Sequence, residues 1–433
     1  MRAGNANLGT SFELDENGEK LAAGPARARV FVGMSGGVDS SVAALLLVEQ
    51  GYDVTGVYMK NWSRDLPGMK CPWADDLADA KRVAVKLGIP FEVWDFEDAY
   101  REKVVEYMLR EFKAGNTPNP DVMCNQEIKF KLFYEKAMER GADFIATGHY
   151  ARTGLALDSG PRLSGPSPRA DGANSRAAAL RNAPSSNTNP VLLRAKDENK
   201  DQTYFLYRIS DEALSHTIFP IGEMLKPDVK KLAKEKGLHN AYKKESMGVC
   251  FVGEVGMKDF LKEYIDIEPG EIREIETEKV LGYHEGAVFY TVGQRHGLYI
   301  SGVAGEVNDG LPYYVVKKDL EKNIVYVSKN LNDSHIWTKE LKLKDVLIRG
   351  KAKGTACPSD TLRAALAKSS CSVEHTVPLV LPLSVRLRHR APLIPARFDG
   401  ETLYFEQEIK RPASGQSAVL YDGEICLGGG IIA

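Results

Sequence analysis

Two cysteines and one glycine-serine turn carry most of the chemistry this sequence offers. Cys124 stands in Thr117-Pro118-Asn119-Pro120-Asp121-Val122-Met123-Cys124-Asn125, where two prolines fix an extended turn ahead of a helix expected from about Glu127. A thiol at or just before a helix N-terminus has its thiolate stabilised by the helix dipole and by unpaired N–H groups, so its pKa is expected to fall. Cys250 stands in Glu245-Ser246-Met247-Gly248-Val249-Cys250-Phe251-Val252-Gly253, a glycine-flanked stretch between helical segments. The two are too far apart in sequence for a CxxC metal knuckle. Cys124 therefore reads as a nucleophile and Cys250 as a partner thiol. For Cys71, Cys357, Cys371 and Cys426 a buried apolar role is the expectation.

The turn is Phe31-Val32-Gly33-Met34-Ser35-Gly36-Gly37-Val38-Asp39-Ser40-Ser41. An apolar strand runs into a Ser/Gly turn that opens a helix, which leaves backbone N–H groups and serine hydroxyls at the positive end of that helix. Phosphate or pyrophosphate can be held there. A Walker loop needs a lysine to reach the outer phosphates, and none lies between Val30 and Tyr58, which argues against a conventional NTPase. Asp39 is a candidate Mg²⁺ contact, since that ion takes one or two carboxylates beside phosphate oxygens; a first-turn helix-capping role is the alternative.

These groups need a scaffold, and the patterning supplies one. From Arg29 to Tyr150 short apolar runs (Val30 to Gly33, Val54 to Met59, Phe91 to Asp95, Phe144 to Thr147) alternate with helical stretches near 41–50, 75–87, 98–113 and 127–140. Such alternation predicts an α/β domain, a doubly wound parallel sheet whose ligands sit beyond the carboxyl ends of the strands. A helical section follows, and from Gly282 short β segments (Ala287 to Thr291, Tyr313 to Lys317, Ile324 to Ser328, Leu383 to His389, Ala418 to Tyr421) predict a C-terminal β-barrel. The expected divisions are a disordered leader over 1–26, a nucleotide-binding catalytic domain over 27–221, a small, mostly helical central domain over 222–282 and the barrel over 283–433. Low-complexity insertions are expected at 153–190 and 354–372.

The formal charge of −2 gives no global attraction to nucleic acid, so RNA contact must come from local basic surfaces such as Lys230, Lys231, Lys234 and Lys236. Arg386, Arg388 and Arg390 alternate and should share one face of a strand, which suits phosphate. No apolar run reaches the roughly 18–20 residues that span a bilayer. The acidic leader fits neither a signal nor a transit peptide, and six scattered cysteines make no disulfide framework; a reducing cytoplasm is the expectation.

SGGVDSS resembles the signature of the PP-loop ATP pyrophosphatase superfamily, whose members split ATP between the α and β phosphates. Taken in order with it, Met59-Lys60-Asn61-Trp62, TPNPDVMCN, Thr147-Gly148-His149-Tyr150-Ala151-Arg152, Lys200-Asp201-Gln202-Thr203-Tyr204-Phe205-Leu206, Cys250-Phe251-Val252, Thr291-Val292-Gly293-Gln294-Arg295, Gly415-Gln416-Ser417 and Cys426-Leu427-Gly428-Gly429-Gly430 resemble the tRNA-specific 2-thiouridylase family. The resemblance implies a tRNA uridine 2-sulfurtransferase with a PP-loop, HUP-like first domain. In that reaction ATP adenylates O2 of the wobble uridine, nucleotide 34, and a persulfide then replaces the activated oxygen at C2.

The same resemblance assigns ATP to Gly33, Met34, Ser35, Gly36, Gly37, Val38, Asp39, Ser40, Met59 and Gly148, and the persulfide to Cys250. Cys124 would be the nucleophile that resolves the transfer through a transient disulfide. Asn119, Pro120, Asp121, His149, Lys200, Asp201, Gln202, Arg388, His389 and Gln416 would meet tRNA, with the target base splayed out of its stack. Expected partners are the tRNAs for Lys, Glu and Gln and a sulfur donor, a cysteine desulfurase or a relay protein; a monomer is expected. The chain departs from the family pattern at His389, where an aromatic is common, at Ala391, at Lys131 and in Ser-Met-Gly-Val before Cys250. A PP-loop ligase or amidotransferase would share the turn without needing either thiol, and a non-catalytic tRNA-binding protein would need neither.

Overall fold

The computed structural model describes residues 27–65, 73–155, 162–163, 190–244, 257–300, 312–330, 336–349 and 381–433. Cys71, Cys250, Cys357, Cys371, the leader, most of 153–190 and all of 354–372 lie outside the described residues.

β1 (Arg29–Gly33) sits at the centre of a parallel sheet because its side chains alternate between two apolar environments. Phe31 faces a cluster with Trp94, Tyr100 and Phe133, while Val30 and Val32 face one with Val42, Val54 and Val83. Each such side chain contributes about 1.5–3 kcal/mol when fully buried. β2 (Asp53–Lys60) and β3 (Phe91–Asp95) extend the sheet on one side of β1. β4 (Phe144–Thr147) and β8 (Thr217–Ile218) extend it on the other. The order is β3-β2-β1-β4-β8, all parallel, as the alternating pattern predicts. α1 (Val38–Glu49) and α2 (Trp73–Leu87) follow β1 and β2, and helical segments over 97–113 and 120–139 follow β3.

After β4 the chain forms β5 (Arg152–Leu155), β6 (Arg162–Leu163) and β7 (Pro190–Leu193), which leave the parallel sheet altogether. Residues 270–328 hold a second sheet of β9 (Gly270–Glu274), β10 (Val280–His284), β11 (Tyr314–Asp319) and β12 (Ile324–Ser328), in the order β10-β9-β12-β11. Its hydrogen bonds run across residue 282, where patterning places a division. Ala287–Phe289, read from sequence as the start of a strand, is a 3-10 turn. The Asn323 carboxamide oxygen accepts from Ala287 N and holds it out of any ladder.

The last sheet contains β13 (Trp337–Ile348), β14 (Leu381–Arg386), β15 (Ile394–Phe398), β16 (Thr402–Lys410), β17 (Ser417–Asp422) and β18 (Ile425–Ile432). They run β13-β16-β15-β14-β17-β18, and pairing of β13 with β18 closes a barrel. β7 adds to β18 through Leu193–Ile425 and Leu192–Cys426, so the first domain's returning chain is hydrogen-bonded into the barrel wall.

Candidate active site

The turn after β1 is shaped by its own serines. Ser40 Oγ accepts from Ser35 N at 3.2 Å and donates to Gly37 O at 3.1 Å, while Ser41 Oγ donates to the same carbonyl at 2.9 Å. Gly37, at the α1 N-cap, is extended (φ −82°, ψ 162°) and brings no capping side chain, so the first N–H groups of the helix are left to a ligand. Gly36 has φ +76°, and a Cβ there would stand 2.3 Å from Asp76 O in the first turn of α2. A Cβ on Gly148 would stand 2.5 Å from Ser40 N. The loop after β4 therefore lies directly against the first turn of α1, and only glycine permits that approach.

Met34 and Met59 take different places. Met34 is 1% exposed with its sulfur packed on Gly56, so it can offer a nucleotide its backbone alone. Met59 is half-buried at the end of β2, its methyl over Gly33. Val38 is buried in the core behind the turn. Lys60, the residue after Met59, is ion-paired with Glu97, and that bond raises its pKa.

Asp39 is engaged on both oxygens by Lys226 Nζ at 2.7 Å, and its Oδ1 also accepts from Tyr150 Oη at 3.1 Å. With one ammonium spanning both oxygens it does not fit a direct magnesium ligand in this arrangement. Its charge, which would repel a phosphate at the start of α1, is offset by a lysine from a helix 187 residues later. Among the described residues no cluster of three or more His, Cys, Asp or Glu could hold a metal ion.

The helix bearing Cys124 begins earlier than the sequence suggests. Pro120 supplies its first residue, and Asn119 Oδ1 caps it by accepting from Val122 N at 3.4 Å. Cys124 is thus one turn inside the helix and beyond its free N–H groups, so the helix-start argument for an activated thiolate does not apply to it. It opens a π-helical stretch, Cys124–Leu132, and is 1% exposed among Val122, Ile128 and Phe130. The same helix packs on β1, with Phe133 beside Gly33. Lys131 pairs with Glu127 at 3.2 Å, one turn back along it.

The residues assigned to tRNA fall into two groups. His149 lies between Phe130 and Phe219, its Nδ1 2.8 Å from Thr147 Oγ1 and its Nε2 3.5 Å from Lys129 Nζ. Burial, then the Lys129 charge, holds its pKa well below the usual value, so the ring is neutral. Asn119 and Asp121 are half-buried, Pro120 is buried, and Lys200 is half-buried in the turn that follows Asp197.

The second group joins domains. Asp201 is 1% exposed and bonds Arg386 Nη1 at 2.7 Å, Thr203 Oγ1 at 2.9 Å and Ala195 N at 3.2 Å. It is a structural carboxylate and cannot touch RNA from there. Gln202 Oε1 accepts from Tyr150 N at 2.9 Å and so braces the loop after β4. Gln416 Nε2 donates to Thr117 O at 2.7 Å, and Thr117 N donates to Ser414 O, so a barrel loop holds the segment that precedes Cys124. β14 ends at Arg386, and the alternation of arginines ends with it: Arg386 is buried, whereas Arg388 and Arg390 are exposed on the following turn. Those two remain available to phosphate.

His389 fills the aromatic place it departs from. Its ring lies 4.5 Å from that of Phe205 and 6.2 Å from that of Tyr204. Burial, then Arg390 and Arg386, pushes its pKa down to about 4. The unfolded chain therefore binds the proton first, and the stability His389 contributes is complete above about pH 6.5 and is lost as pH falls toward 4. His389→Phe should flatten the decline in denaturation midpoint across that window, read by melting at pH 7, 5.5 and 4.5; a parallel decline in both proteins contradicts the assignment.

Sequence reasoning missed Lys226, Lys129 and Asn240, all of which bear on the site. Nothing local marks them, because each acts on a segment distant in sequence.

Comparison with known proteins agrees with this organisation. A family model described as the tRNA methyl transferase HUP domain matches residues 28–254. A tRNA methyl transferase PRC-barrel domain matches 258–329, and an aminomethyltransferase beta-barrel domain matches 359–432. The chain is 42% identical over 412 residues to the tRNA-specific 2-thiouridylase MnmA of Bacillus licheniformis, covering 95% of this chain and 96% of that protein. It is 41% identical over 414 residues to the protein of the same name from Bacillus subtilis, covering 94% and 95%. With that from Idiomarina loihiensis it shares 41% over 410 residues, covering 93% and 95%.

Proposed function

The chain belongs to the tRNA-specific 2-thiouridylase family, and we propose that it performs the 2-thiolation of the wobble uridine with ATP bound at Gly33–Ser40 and Cys124 as the nucleophile. It is a tRNA 2-sulfurtransferase. The C2 carbonyl of uridine is a poor electrophile without a leaving group, so activation must come first. Uridine O2 attacks the α-phosphorus of ATP, pyrophosphate departs, and the oxygen becomes a leaving group as AMP. The outer sulfur of a persulfide on Cys250 then adds to C2 and AMP leaves. Attack of the Cys124 thiolate on the Cys250 sulfur releases the thiouridine and forms a disulfide, which an external thiol must reduce to restart the cycle.

The observation that best supports the ATP site is the bare start of α1, with the Gly148 loop pressed against Ser40. Magnesium would enter on the phosphate oxygens of ATP rather than on Asp39. Cys124 is buried, so the base must reach it by displacing its cover, a step suited to a splayed nucleotide 34. Arg388 and Arg390 would hold the RNA backbone, with His149 and Lys200 nearer the nucleotide. The tRNAs for Lys, Glu and Gln are the proposed substrates, a cysteine desulfurase or relay protein the sulfur donor, and the working form a cytoplasmic monomer.

Release of pyrophosphate from ATP tests the reading at its first step. It should require tRNA, should proceed without a sulfur donor and should fail with an anticodon stem-loop carrying cytidine at position 34. A PP-loop ligase would release pyrophosphate with a small amine or acid and ignore the RNA.

A further inference from the structure

We propose that Asn240, a buried residue outside every motif named above, is the positioning residue that sets the phosphate-binding face of the Ser35–Ser41 turn. The inference rests on the ATP reading of that turn. Asn240 is 3% exposed and its Nδ2 lies 2.9 Å from both Gly36 O and Ser41 Oγ. The orientation of the carboxamide is fixed by its neighbours. A carbonyl can only accept, and the Ser41 proton is already given to Gly37 O, so both atoms need a donor and both receive it from Nδ2. Oδ1 gains no hydrogen bond in return, a cost accepted to keep the donor side toward the turn.

The consequence follows from peptide geometry. In a trans peptide the carbonyl of one residue and the N–H of the next point in opposite directions. Holding Gly36 O inward, against buried Asn240, therefore turns Gly37 N–H outward, where it donates to the exposed Ser35 hydroxyl at 3.4 Å, a long bond that a phosphate oxygen would replace. A phosphate oxygen requires that N–H at the surface. Lys243, three residues on, pairs with Asp76 at 2.7 Å and Asp79 at 2.6 Å, and Asp76 is the residue whose backbone closes over Gly36. One short segment thus fixes the glycine from two sides: from beneath through its carbonyl and from above through α2. Both Asn240 and Ser41 are too buried to touch the nucleotide themselves.

Asn240→Asp keeps size but replaces the donor with an acceptor facing a carbonyl; Asn240→Thr keeps one donor. ATP affinity measured by equilibrium binding to the whole chain should weaken about 10- to 100-fold in the aspartate variant and less in the threonine variant. The KM for ATP should rise more than kcat falls, and tRNA affinity should not change. If the aspartate variant fails to fold, the threonine and alanine variants carry the test, alanine being the weaker ATP binder. Wild-type ATP affinity in the alanine variant, or an equal loss for ATP and tRNA, overturns the proposal. Absence of ATP binding by the unaltered protein would instead overturn the functional reading on which it rests.

Discussion

Cys124→Ser is expected to abolish 2-thiolation, by at least about a thousandfold, while ATP affinity stays at the wild-type value. A serine hydroxyl is a far weaker nucleophile than a thiolate and cannot be resolved through a disulfide, so no slower version of the step is open to it. The exchange is nearly isosteric within the cluster of Val122, Ile128 and Phe130, so the cost in stability should be small, on the order of 1–3 kcal/mol for a buried hydroxyl. Cys250→Ser should be equally inactive, since the persulfide has no other carrier in the proposal. Cys426 provides the contrast. It is fully buried in β18 beside Tyr421, and burial pushes its pKa up to about 12, so its thiolate is suppressed and Cys426→Ser should thiolate normally. The measurement is mass spectrometry of nucleosides from tRNA incubated with each variant, ATP and a sulfide source. Normal product from Cys124→Ser would remove the nucleophile from the mechanism. Tight ATP binding in the same variant would show that the loss lies in sulfur chemistry and not in the fold.

The parallel sheet was legible because its signal is local and repeated: Val30 to Gly33, Val54 to Met59 and Phe144 to Thr147 each carry enough apolar content to mark a buried strand, and each is one. The SGGVDSS turn was legible for the same reason, since glycine and serine act there on their immediate neighbours. Cys124 shows where local reading ends. The prolines were read as an extended turn, yet Pro120 at the first helical position starts the helix, with Asn119 capping it, four residues before the thiol. The arginine stripe failed for a related reason. Alternation implies one face only while the strand lasts, and β14 stops at Arg386, which burial and Asp201 hold inside. Lys226 and Asn240 carried no sequence signal, because what defines them is contact with Asp39, Gly36 and Ser41 across the chain. Burial likewise separates Asp201 from Arg388, though both were assigned to tRNA: the first is enclosed and the second is exposed.

Arg386→Met should destabilise the joint between the first domain and the barrel by about 3–5 kcal/mol, the usual cost of leaving one partner of a buried ion pair without the other. Asp201 has an enclosed side chain, Arg386 bonds it at 2.7 Å, and Arg194 stands further away at 3.6 Å. Removing the guanidinium also takes a cation from above the Tyr421 ring, whose hydroxyl is 3.1 Å from Thr203 Oγ1, so the loss spreads through a network that crosses the interface. Tyr204 Oη to Ser417 O at 3.0 Å belongs to the same seam. Asp201→Asn combined with Arg386→Met removes both charges together, and should recover a large part of the loss because no unpaired ion remains. Because the chain has several domains, the comparison is made on the midpoint of the first urea transition rather than on a single unfolding free energy. A contact between Asp201 and RNA predicts a different pattern, with weakened tRNA binding in Asp201→Asn at unchanged stability and no recovery in the double variant. The midpoint and the tRNA dissociation constant of the three variants therefore decide whether this carboxylate meets RNA or joins the first domain to the barrel.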